Sequence, residues 1–377
     1  MLYVYVYINT TNTREEKGKE IASKNDLHRL DRNTYRVRSQ TTSRVYDVVR
    51  AENGWICTCP DHKFRKVCCK HIHAVEWTLK FRDEVKTRVI KPISDSSICI
   101  YCKSNKVTKD GLRHNKYGDI QKYYCKDCKK YFTINIGFEK MKHDPRGITT
   151  AMQLYFSGES LRNVARSLRL LGMDVTHQTV YNWIKKYTKL MQKYLDGITP
   201  HVSDTWRADE IFVKIRGNQK YLFALMDDET RFWIAQEVGD TKHTHIPSKM
   251  FRDGKTFTQT KPRVLITDGL QTYQKAFRKE FWAQPLEKRT IHIRTIRFQG
   301  DMNNNKMERL NGEIRDREKV MRGLKKKDSV IIDGYQLFHN YIRPHMGLDG
   351  KTPAEACGIK IEGENKWMTL IQNASRK

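Results

Sequence analysis

The chain has 377 residues, enough for two or three domains, and carries 71 Lys and Arg against 43 Asp and Glu, a formal net charge of +28. A charge this far from zero favours a polyanionic partner, either nucleic acid or an anionic membrane surface. No apolar run approaches the ~20 residues that span a bilayer, and the short apolar N-terminus lacks the basic leader of a signal peptide. The composition therefore favours nucleic acid over membrane, and it predicts a cytoplasmic, nucleoid-associated protein.

Cysteines dominate the first third of the chain, where eight of the nine lie between Cys57 and Cys128. The odd total, the missing secretion signal and the tight pairs indicate metal ligation rather than disulfides. The first cluster lies in a predicted domain of residues 1–88 and resembles the SWIM zinc finger, whose pattern is Cys-x-Cys, a spacer and Cys-x-His. That resemblance implies four zinc ligands: Cys57, Cys59, Cys69 and His71. Three further residues remain alternatives for the last two ligands: Cys68, His62 and His73.

The second cluster, in residues 96–135, is Cys99-x-x-Cys102 and Cys125-x-x-Cys128, with 22 residues between the pairs. Two such pairs predict a four-cysteine zinc ribbon, since each offers two thiolates and together they complete a tetrahedron. The alternative is four reduced cysteines in a small core. Both predicted sites have four protein ligands and no open position, so both zinc ions are predicted to be structural.

Residues 145–196 have the periodicity of two consecutive helices. One apolar face has the spacing i, i+3, i+4, i+7 and consists of Leu161, Val164, Ala165 and Leu168. Thr176 can cap a second helix, whose apolar face repeats that spacing with Val180, Trp183, Ile184 and Tyr187. The opposite face carries side chains that suit base edges and phosphates in a major groove: Gln178, Tyr181, Asn182 and Lys185. The pattern predicts a helix-turn-helix, and an ordinary helical hairpin between domains is the alternative.

Three acidic residues in the second half lie in distinct local patterns. Asp209 opens a strand-like run, Asp268 closes a short apolar run, and Glu308 begins a helical pattern. Carboxylates are the ligands that magnesium takes alongside phosphate oxygens, and two ions about 4 Å apart can activate an attacking oxygen and stabilise a leaving one. Three unrelated acids in an α/β domain are the alternative. The neighbouring Glu210 is expected to point away from Asp209, because consecutive strand residues face opposite sides.

Residues 204–356 resemble the integrase core of DDE transposases from prokaryotic insertion sequences, an RNase H-like fold. Five segments carry the resemblance: Trp206–Glu210, Thr267–Gly269, Asn304–Gly312, Asn340–Leu348 and Lys351–Glu355. The resemblance implies that Asp209, Asp268 and Glu308 bind two catalytic magnesium or manganese ions, with Asp209 bridging them. It also implies cleavage by water at an element end, followed by attack of the freed 3′-hydroxyl on target DNA.

The 13-residue stretch 315–327, after Glu308, contains seven cations. They predict a phosphate-binding flank rather than a merely solvated helix: Arg315, Arg317, Lys319, Arg322, Lys325, Lys326 and Lys327. The predicted fold class is a multidomain α+β and α/β chain, with two small zinc modules and a helix-turn-helix ahead of an RNase H-like core at residues 202–347. Residues 348–377 are predicted to be a C-terminal tail. The expected partner is double-stranded DNA, both element ends and target, bound by a homodimer or higher oligomer. Two other functions stay open: a non-catalytic DNA-binding regulator and a structure-specific nuclease.

Overall fold

The structure is a computed structural model that describes residues 13–23, 27–29, 33–51, 54–93, 97–115, 118–282, 289–294, 305–321, 324 and 330–376. It divides into two compact units, Met1–Thr87 and Arg88–Lys377. Among the described residues, no helix is both long enough and apolar enough to cross a membrane.

The first unit is a small antiparallel sheet with three helices. Its elements are α1 (Thr13–Ser23), β1 (Leu27–Arg29), β2 (Thr34–Arg38), β3 (Val45–Ala51), β4 (Gly54–Cys57), α2 (Pro60–Arg65) and α3 (Lys70–Lys86). The strands pair in the order β1-β2-β3-β4, and Tyr35 and Val37 alternate inward along β2. Three cysteines, Cys57, Cys59 and Cys69, belong to the buried core of this unit. A core this small and this rich in cysteine is typical of a module in which a metal supplies folding energy.

The second unit begins with a short separate strand, followed by a three-stranded antiparallel ribbon and three helices. These elements are β5 (Arg88–Ile90), β6 (Val107–Asn115), β7 (Gly118–Cys125), β8 (Tyr131–Phe132), α4 (Pro145–Phe156), α5 (Leu161–Leu170) and α6 (His177–Leu195). The predicted cap is confirmed, because Thr176 Oγ1 accepts the backbone N–H of Thr179 at 3.2 Å. The two predicted apolar faces are also confirmed, since Val164 and Leu168 of α5 and Val180 and Ile184 of α6 are buried.

A five-stranded mixed sheet flanked by helices forms the centre of this unit, as the sequence predicts. Its elements are β9 (Thr205–Ile215), β10 (Asn218–Asp227), β11 (Trp233–Gly239), α7 (His245–Thr258), β12 (Val264–Thr267), α8 (Gln271–Phe281), β13 (Ile291–Arg294), α9 (Asn305–Met321) and α10 (Val330–Leu337). The strand order is β11-β10-β9-β12-β13; β9, β10 and β11 are antiparallel, whereas β12 and β13 run parallel to β9. Arg216 and Gly217 both have positive φ, 52° and 83°, the requirement of the two-residue turn that joins β9 to β10.

The segment predicted as a C-terminal tail is folded, which corrects that prediction. After a π-helical turn at Phe338–Ile342 and a 3₁₀ turn at Met346–Leu348 come α11 (Pro353–Ala356), β14 (Ile359–Ile361) and α12 (Lys366–Ala374). Strand β14 pairs in parallel with β5. Trp367 and Ile371 of α12 are buried in the same core as α4, α6 and the mixed sheet. The apolar face of α12 therefore closes the core and joins its helical part to the sheet.

Candidate catalytic and metal sites

Two of the three predicted catalytic acids meet at the edge between β9 and β12. These strands are parallel, and their last paired residues are Ala208 and Thr267. The next residues along the chain are Asp209 and Asp268, so the two carboxylates emerge side by side. The backbone N–H of Leu270 donates to Asp268 Oδ1 at 3.0 Å, which fixes this side chain at the start of α8.

Glu210 joins this cluster, and the expectation that it points away is wrong. One carboxylate oxygen from each of Asp209, Glu210 and Asp268 lies within 4.8 Å of the others. Strand β12 ends at Thr267, so beyond this residue it no longer covers the edge of β9. A long glutamate side chain can reach round this open edge from the opposite face. Glu210 also accepts a hydrogen bond from Lys242 Nζ at 2.6 Å, a neutralising contact that sequence spacing does not reveal.

The cluster is electrostatically unfavourable without a cation. Burial, then the charges of Glu210 and Asp268, raise the pKa of Asp209 to about 7. Burial also raises the pKa of Glu210, although the Lys242 hydrogen bond opposes the shift. Within the described residues, Glu210 Oε2 and Asn311 Oδ1 are buried and have no hydrogen-bond partner. Crowded, partly unpaired oxygen ligands of this kind fit a divalent cation such as magnesium.

Glu308 lies on α9, in the first turn of the helix, and its side chain is exposed. It is outside the group of three carboxylates, so its role stays a prediction. One helical turn further, Asn311 Nδ2 donates to Asp209 Oδ2 at 2.8 Å. Residues three apart share a helix face, so Glu308 projects from the face of α9 that contacts Asp209.

Polar contacts anchor α9 at its start as well. Lys306 Nζ donates to Asp228 Oδ1 at 2.8 Å, and Asp228 also pairs with Arg207. The neighbouring Asp227 is buried and accepts hydrogen bonds from Ser203 Oγ at 2.6 Å and from the backbone N–H of Thr230 at 2.8 Å. Both acids are therefore occupied by internal contacts.

The first cysteine cluster brings the predicted ligand set together. Cys57, Cys59, Cys69 and His71 are all buried, with candidate ligand atoms within 4.8 Å of one another. His71 Nδ1 lies 3.8 Å from Cys57 Sγ and 3.9 Å from Cys69 Sγ. The alternative ligand His62 is not in this group; its backbone N–H donates to Cys59 Sγ at 3.5 Å, and its Nδ1 contacts the Val67 carbonyl at 2.8 Å.

The ribbon cysteines converge in the same way. The Sγ atoms of Cys99 and Cys128 are 3.6 Å apart, and those of Cys102 and Cys125 are 3.5 Å apart. Each Cys-x-x-Cys pair is followed by a lysine with positive φ, Lys103 at 64° and Lys129 at 55°. A hydrogen bond from the backbone N–H of Cys128 is the main cause that lowers the pKa of the Cys125 thiol to about 7. Four thiols that converge around one point are suited to tetrahedral zinc.

The candidate DNA-facing residues of α6 lie on its open side. Gln178, Asn182 and Lys185 are exposed and Tyr181 is half-buried. Gln178 Nε2 donates to Asn182 Oδ1 at 3.1 Å, which aligns the two amides along the helix.

The basic flank is only partly as predicted. Arg315 and Lys319 are exposed on α9, whereas Arg322, Lys325, Lys326 and Lys327 lie outside the described residues. Arg317 is buried, which corrects its assignment to a phosphate-binding surface. Its guanidinium lies 3.9 Å from the ring centroid of Tyr155, and its Nη1 donates to the Glu159 carbonyl at 2.9 Å. It falls three residues after buried Ile314 and therefore shares the inward face of α9.

The raised pKa of Asp209 predicts that the protein without added divalent metal loses stability as pH rises from about 4 to about 7. A carboxyl with a higher pKa in the folded state binds more protons when folded, so its favourable contribution is lost across this window. A shift from 3.8 to about 7 corresponds to at most about 4 kcal/mol. Asp209→Asn should therefore raise the free energy of unfolding at pH 8 by about 1–4 kcal/mol, measured by urea denaturation.

The increase in the free energy of unfolding caused by Asp209→Asn should shrink as pH falls towards 4. Added magnesium should stabilise the parental protein but not the variant. Asp253→Asn, at a half-exposed position on α7, is the matched control and should change neither quantity. An Asp209→Asn variant less stable than the parent at pH 8 would contradict the repulsion argument.

The two cysteine clusters predict two tightly held zinc ions per chain, measurable by elemental analysis of protein purified without chelator. Cys125→Ser should lose one zinc ion and destabilise the ribbon, because metal binding contributes directly to the folding of such modules. Cys357→Ser, at the cysteine outside both clusters, should keep both ions. Protein purified in this way that contains no zinc would exclude both sites.

Comparison with known proteins identifies the part of the chain that holds the acid cluster. Residues 203–345 match the DDE domain of IS240-type transposases. The transposase for the insertion sequence-like element IS431mec of Staphylococcus aureus (strain Mu50 / ATCC 700699) is 32% identical over 126 residues, which cover 32% of this chain and 54% of that protein. The chain thus spans about half the length of this relative. An uncharacterized protein in transposable element ISH50 of Halobacterium salinarum is 24% identical over 225 residues, covering 54% of this chain and 69% of that protein.

Solved structures that are similar include the HTLV-2 integrase catalytic core domain in complex with magnesium, with 14% identity and a TM-score of 0.30 over 42% of this chain and 96% of that chain. Asp209, Asp268 and Glu308 all lie within the matched residues 203–345. This part of the chain is thus similar to the DDE domain of insertion-sequence transposases.

Proposed function

We propose that the protein is a transposase that cuts DNA at the ends of its mobile element and joins the cut strand to target DNA. The observation that carries the proposal is the crowded acid cluster at the open edge of β9, inside the DDE domain. A purely DNA-binding regulator would have no need of buried, mutually repelling carboxylates.

Asp209, Asp268 and Glu308 are the residues we propose as ligands of two magnesium or manganese ions, with Asp209 shared between them. When bound, such a pair of ions activates the attacking oxygen and stabilises the leaving oxygen of a phosphodiester. We prefer Glu308 to Glu210 as the third ligand for two reasons. Glu210 is neutralised by Lys242, whereas Glu308 is exposed on the helix face that contacts Asp209 through Asn311.

The proposed reaction has two in-line displacements at phosphorus. Water attacks the phosphodiester at the element end and releases a 3′-hydroxyl, and that hydroxyl then attacks a phosphodiester of target DNA. The protein's part is to hold the reacting phosphate and the attacking oxygen in line, since geometry supplies much of the rate in such reactions. The anchored position of α9 supports this role, because Asn311 bonds to Asp209 on β9 and Lys306 bonds to Asp228 just after β10.

DNA recognition is proposed to come from surfaces outside the acid cluster. The exposed face of α6 would enter a major groove, with Gln178, Asn182 and Lys185 towards the bases. Exposed Arg315 and Lys319 would contact phosphates, together with Arg322, Lys325, Lys326 and Lys327. We propose a homodimer or higher oligomer on two element ends, acting in the cytoplasm at the nucleoid, with two structural zinc ions that stabilise the small modules.

Asp268→Asn is predicted to abolish metal-dependent nicking of a cognate element end while DNA binding persists. Loss of a metal ligand removes several kcal/mol of transition-state stabilisation, so the rate should fall at least about a hundredfold. The measurement is nicking of a labelled element end in magnesium or manganese, alongside a binding assay on the same DNA. Asp253→Asn serves as the control on an exposed α7 position and should nick at the parental rate.

Glu308→Gln should resemble Asp268→Asn in this assay, and Asp316→Asn, an exposed residue on the same helix, should not. Parental nicking by Asp268→Asn would refute the assignment of the site. Protein that binds element ends but shows no nicking with either metal would instead favour the DNA-binding regulator.

Asn182→Ala is predicted to lower the preference for element-end DNA over random DNA, because a base contact is worth about 1–3 kcal/mol of discrimination. Lys326→Ala should weaken binding to both DNAs alike and reduce the salt dependence, as expected for a phosphate contact. Equilibrium binding of both variants to both duplexes at several salt concentrations makes the comparison. An equal loss on both DNAs for Asn182→Ala would exclude α6 as the base-reading element.

A further inference from the structure

Three side chains of types that can bind metals lie beside the first cysteine cluster and are outside both predicted four-ligand zinc sites. They are Cys68, just before α3, and His73 and Glu76, which lie three residues apart on α3. One ligand atom of each lies within 4.8 Å of the others. Residues three apart share a helix face, so the imidazole and the carboxylate point to the same place that the thiol reaches.

The distances are those of the neighbouring site. His73 Nδ1 lies 3.9 Å from Cys68 Sγ, and His71 Nδ1 lies 3.9 Å from Cys69 Sγ. His73 Nδ1 is also 3.6 Å from Glu76 Oε2. A tetrahedral zinc ion separates sulfur from nitrogen, and nitrogen from oxygen, by about 3.4–3.6 Å. The group therefore needs only small side-chain adjustments to bind such an ion.

The imidazole is held in place by its surroundings. Helix α1 packs against α3 at Gly18, where an added Cβ would lie 2.6 Å from His73 Cβ. The close approach restricts His73, whose side chain is only 17% exposed, whereas Glu76 is 48% exposed and Cys68 is exposed. The site thus has one fixed ligand and two that face solvent.

We propose that Cys68, His73 and Glu76 form a third metal site, which binds a zinc ion with the fourth position open to water. A thiolate, an imidazole and a carboxylate are the ligand types that zinc accepts, and three protein ligands leave one position free. The thiolate and the carboxylate balance the charge of the ion. The site should hold zinc more weakly than the two four-ligand sites and exchange it with solution, because it has fewer protein ligands and is open to solvent.

The proposal also accounts for two of the three alternative ligands of the sequence pattern, Cys68 and His73. The sequence alone allows Cys68 and His73 as ligands of the first site, but the structure places them close to each other and to Glu76. The proposal is independent of the transposase function, because its test uses no DNA.

The test uses the full-length protein with two zinc ions bound, titrated with cobalt(II) chloride under reducing conditions. One equivalent of cobalt should bind as the third metal ion of the chain. It should produce a sulfur-to-cobalt charge-transfer band from a single thiolate. Cys68→Ser should abolish this band while both zinc ions stay bound. Glu76→Gln should weaken cobalt binding by at least about tenfold, the lower end of the loss when even a supporting residue is removed.

Glu16→Gln on α1, at an exposed position, is the matched control and should titrate like the parent. If the parental protein binds no cobalt in addition to its two zinc ions, the proposal is overturned. An unchanged charge-transfer band in Cys68→Ser would overturn it as well. If Cys68→Ser instead loses one of the two zinc ions, Cys68 is a ligand of the first site and the third site does not exist. Thermal unfolding of the variants checks that α3 is still folded.

Discussion

Repulsion among carboxylates at one open strand edge is the constraint on which the core of this protein depends. Parallel β9 and β12 place Asp209 and Asp268 side by side, and the early end of β12 lets Glu210 approach them from the other face. Burial, together with the charges of Glu210 and Asp268, raises the pKa of Asp209 to about 7. A fold that stores such repulsion is stable only because the rest of the core supplies the compensating free energy, and the proposed cations would relieve the repulsion.

Helix α9 connects this edge to the rest of the molecule. Its Asn311 bonds to Asp209, and two turns later its buried Arg317 stacks on Tyr155 and bonds to the Glu159 carbonyl after α4. One rigid helix thus contacts both the acid cluster and the end of the helical region proposed to read DNA. Guanidinium stacking of this kind is worth on the order of 0.5–2 kcal/mol. The arrangement fixes the direction of α9, and with it the position of Glu308, relative to the aspartates.

Much of this organisation is predictable from local sequence. The spacing of apolar residues predicts α5 and α6, Thr176 marks the start of α6, and the cysteine pairs come together as their spacing predicts. Asp209 and Asp268 are predictable as neighbours because each has a characteristic position on a strand. The motif Asn340–Leu348 also has a physical meaning, since the Asn340 amide bonds to the backbone of Trp233 and ties the end of the core to β11.

Features set by distant contacts escape this reasoning. Glu210 enters the cluster because β12 ends at Thr267, and Lys242 that neutralises it comes from beyond β11. Arg317 looks like one more cation in a basic run until its partner, 158 residues earlier in the chain, is known. Pairing of β14 with β5 joins segments from opposite ends of the second unit, and neither strand is long enough to show a pattern of its own.

We propose that Asp209, Asp268 and Glu308 together hold the catalytic cations, while Lys242 neutralises Glu210. The most direct measurement is anomalous diffraction from crystals of the protein with manganese and an element-end duplex. We expect manganese bound to oxygens of Asp209, Asp268 and Glu308, with the Lys242–Glu210 pair intact. Manganese bound by Asp209, Glu210 and Asp268 without Glu308, or no manganese at this edge, would contradict it.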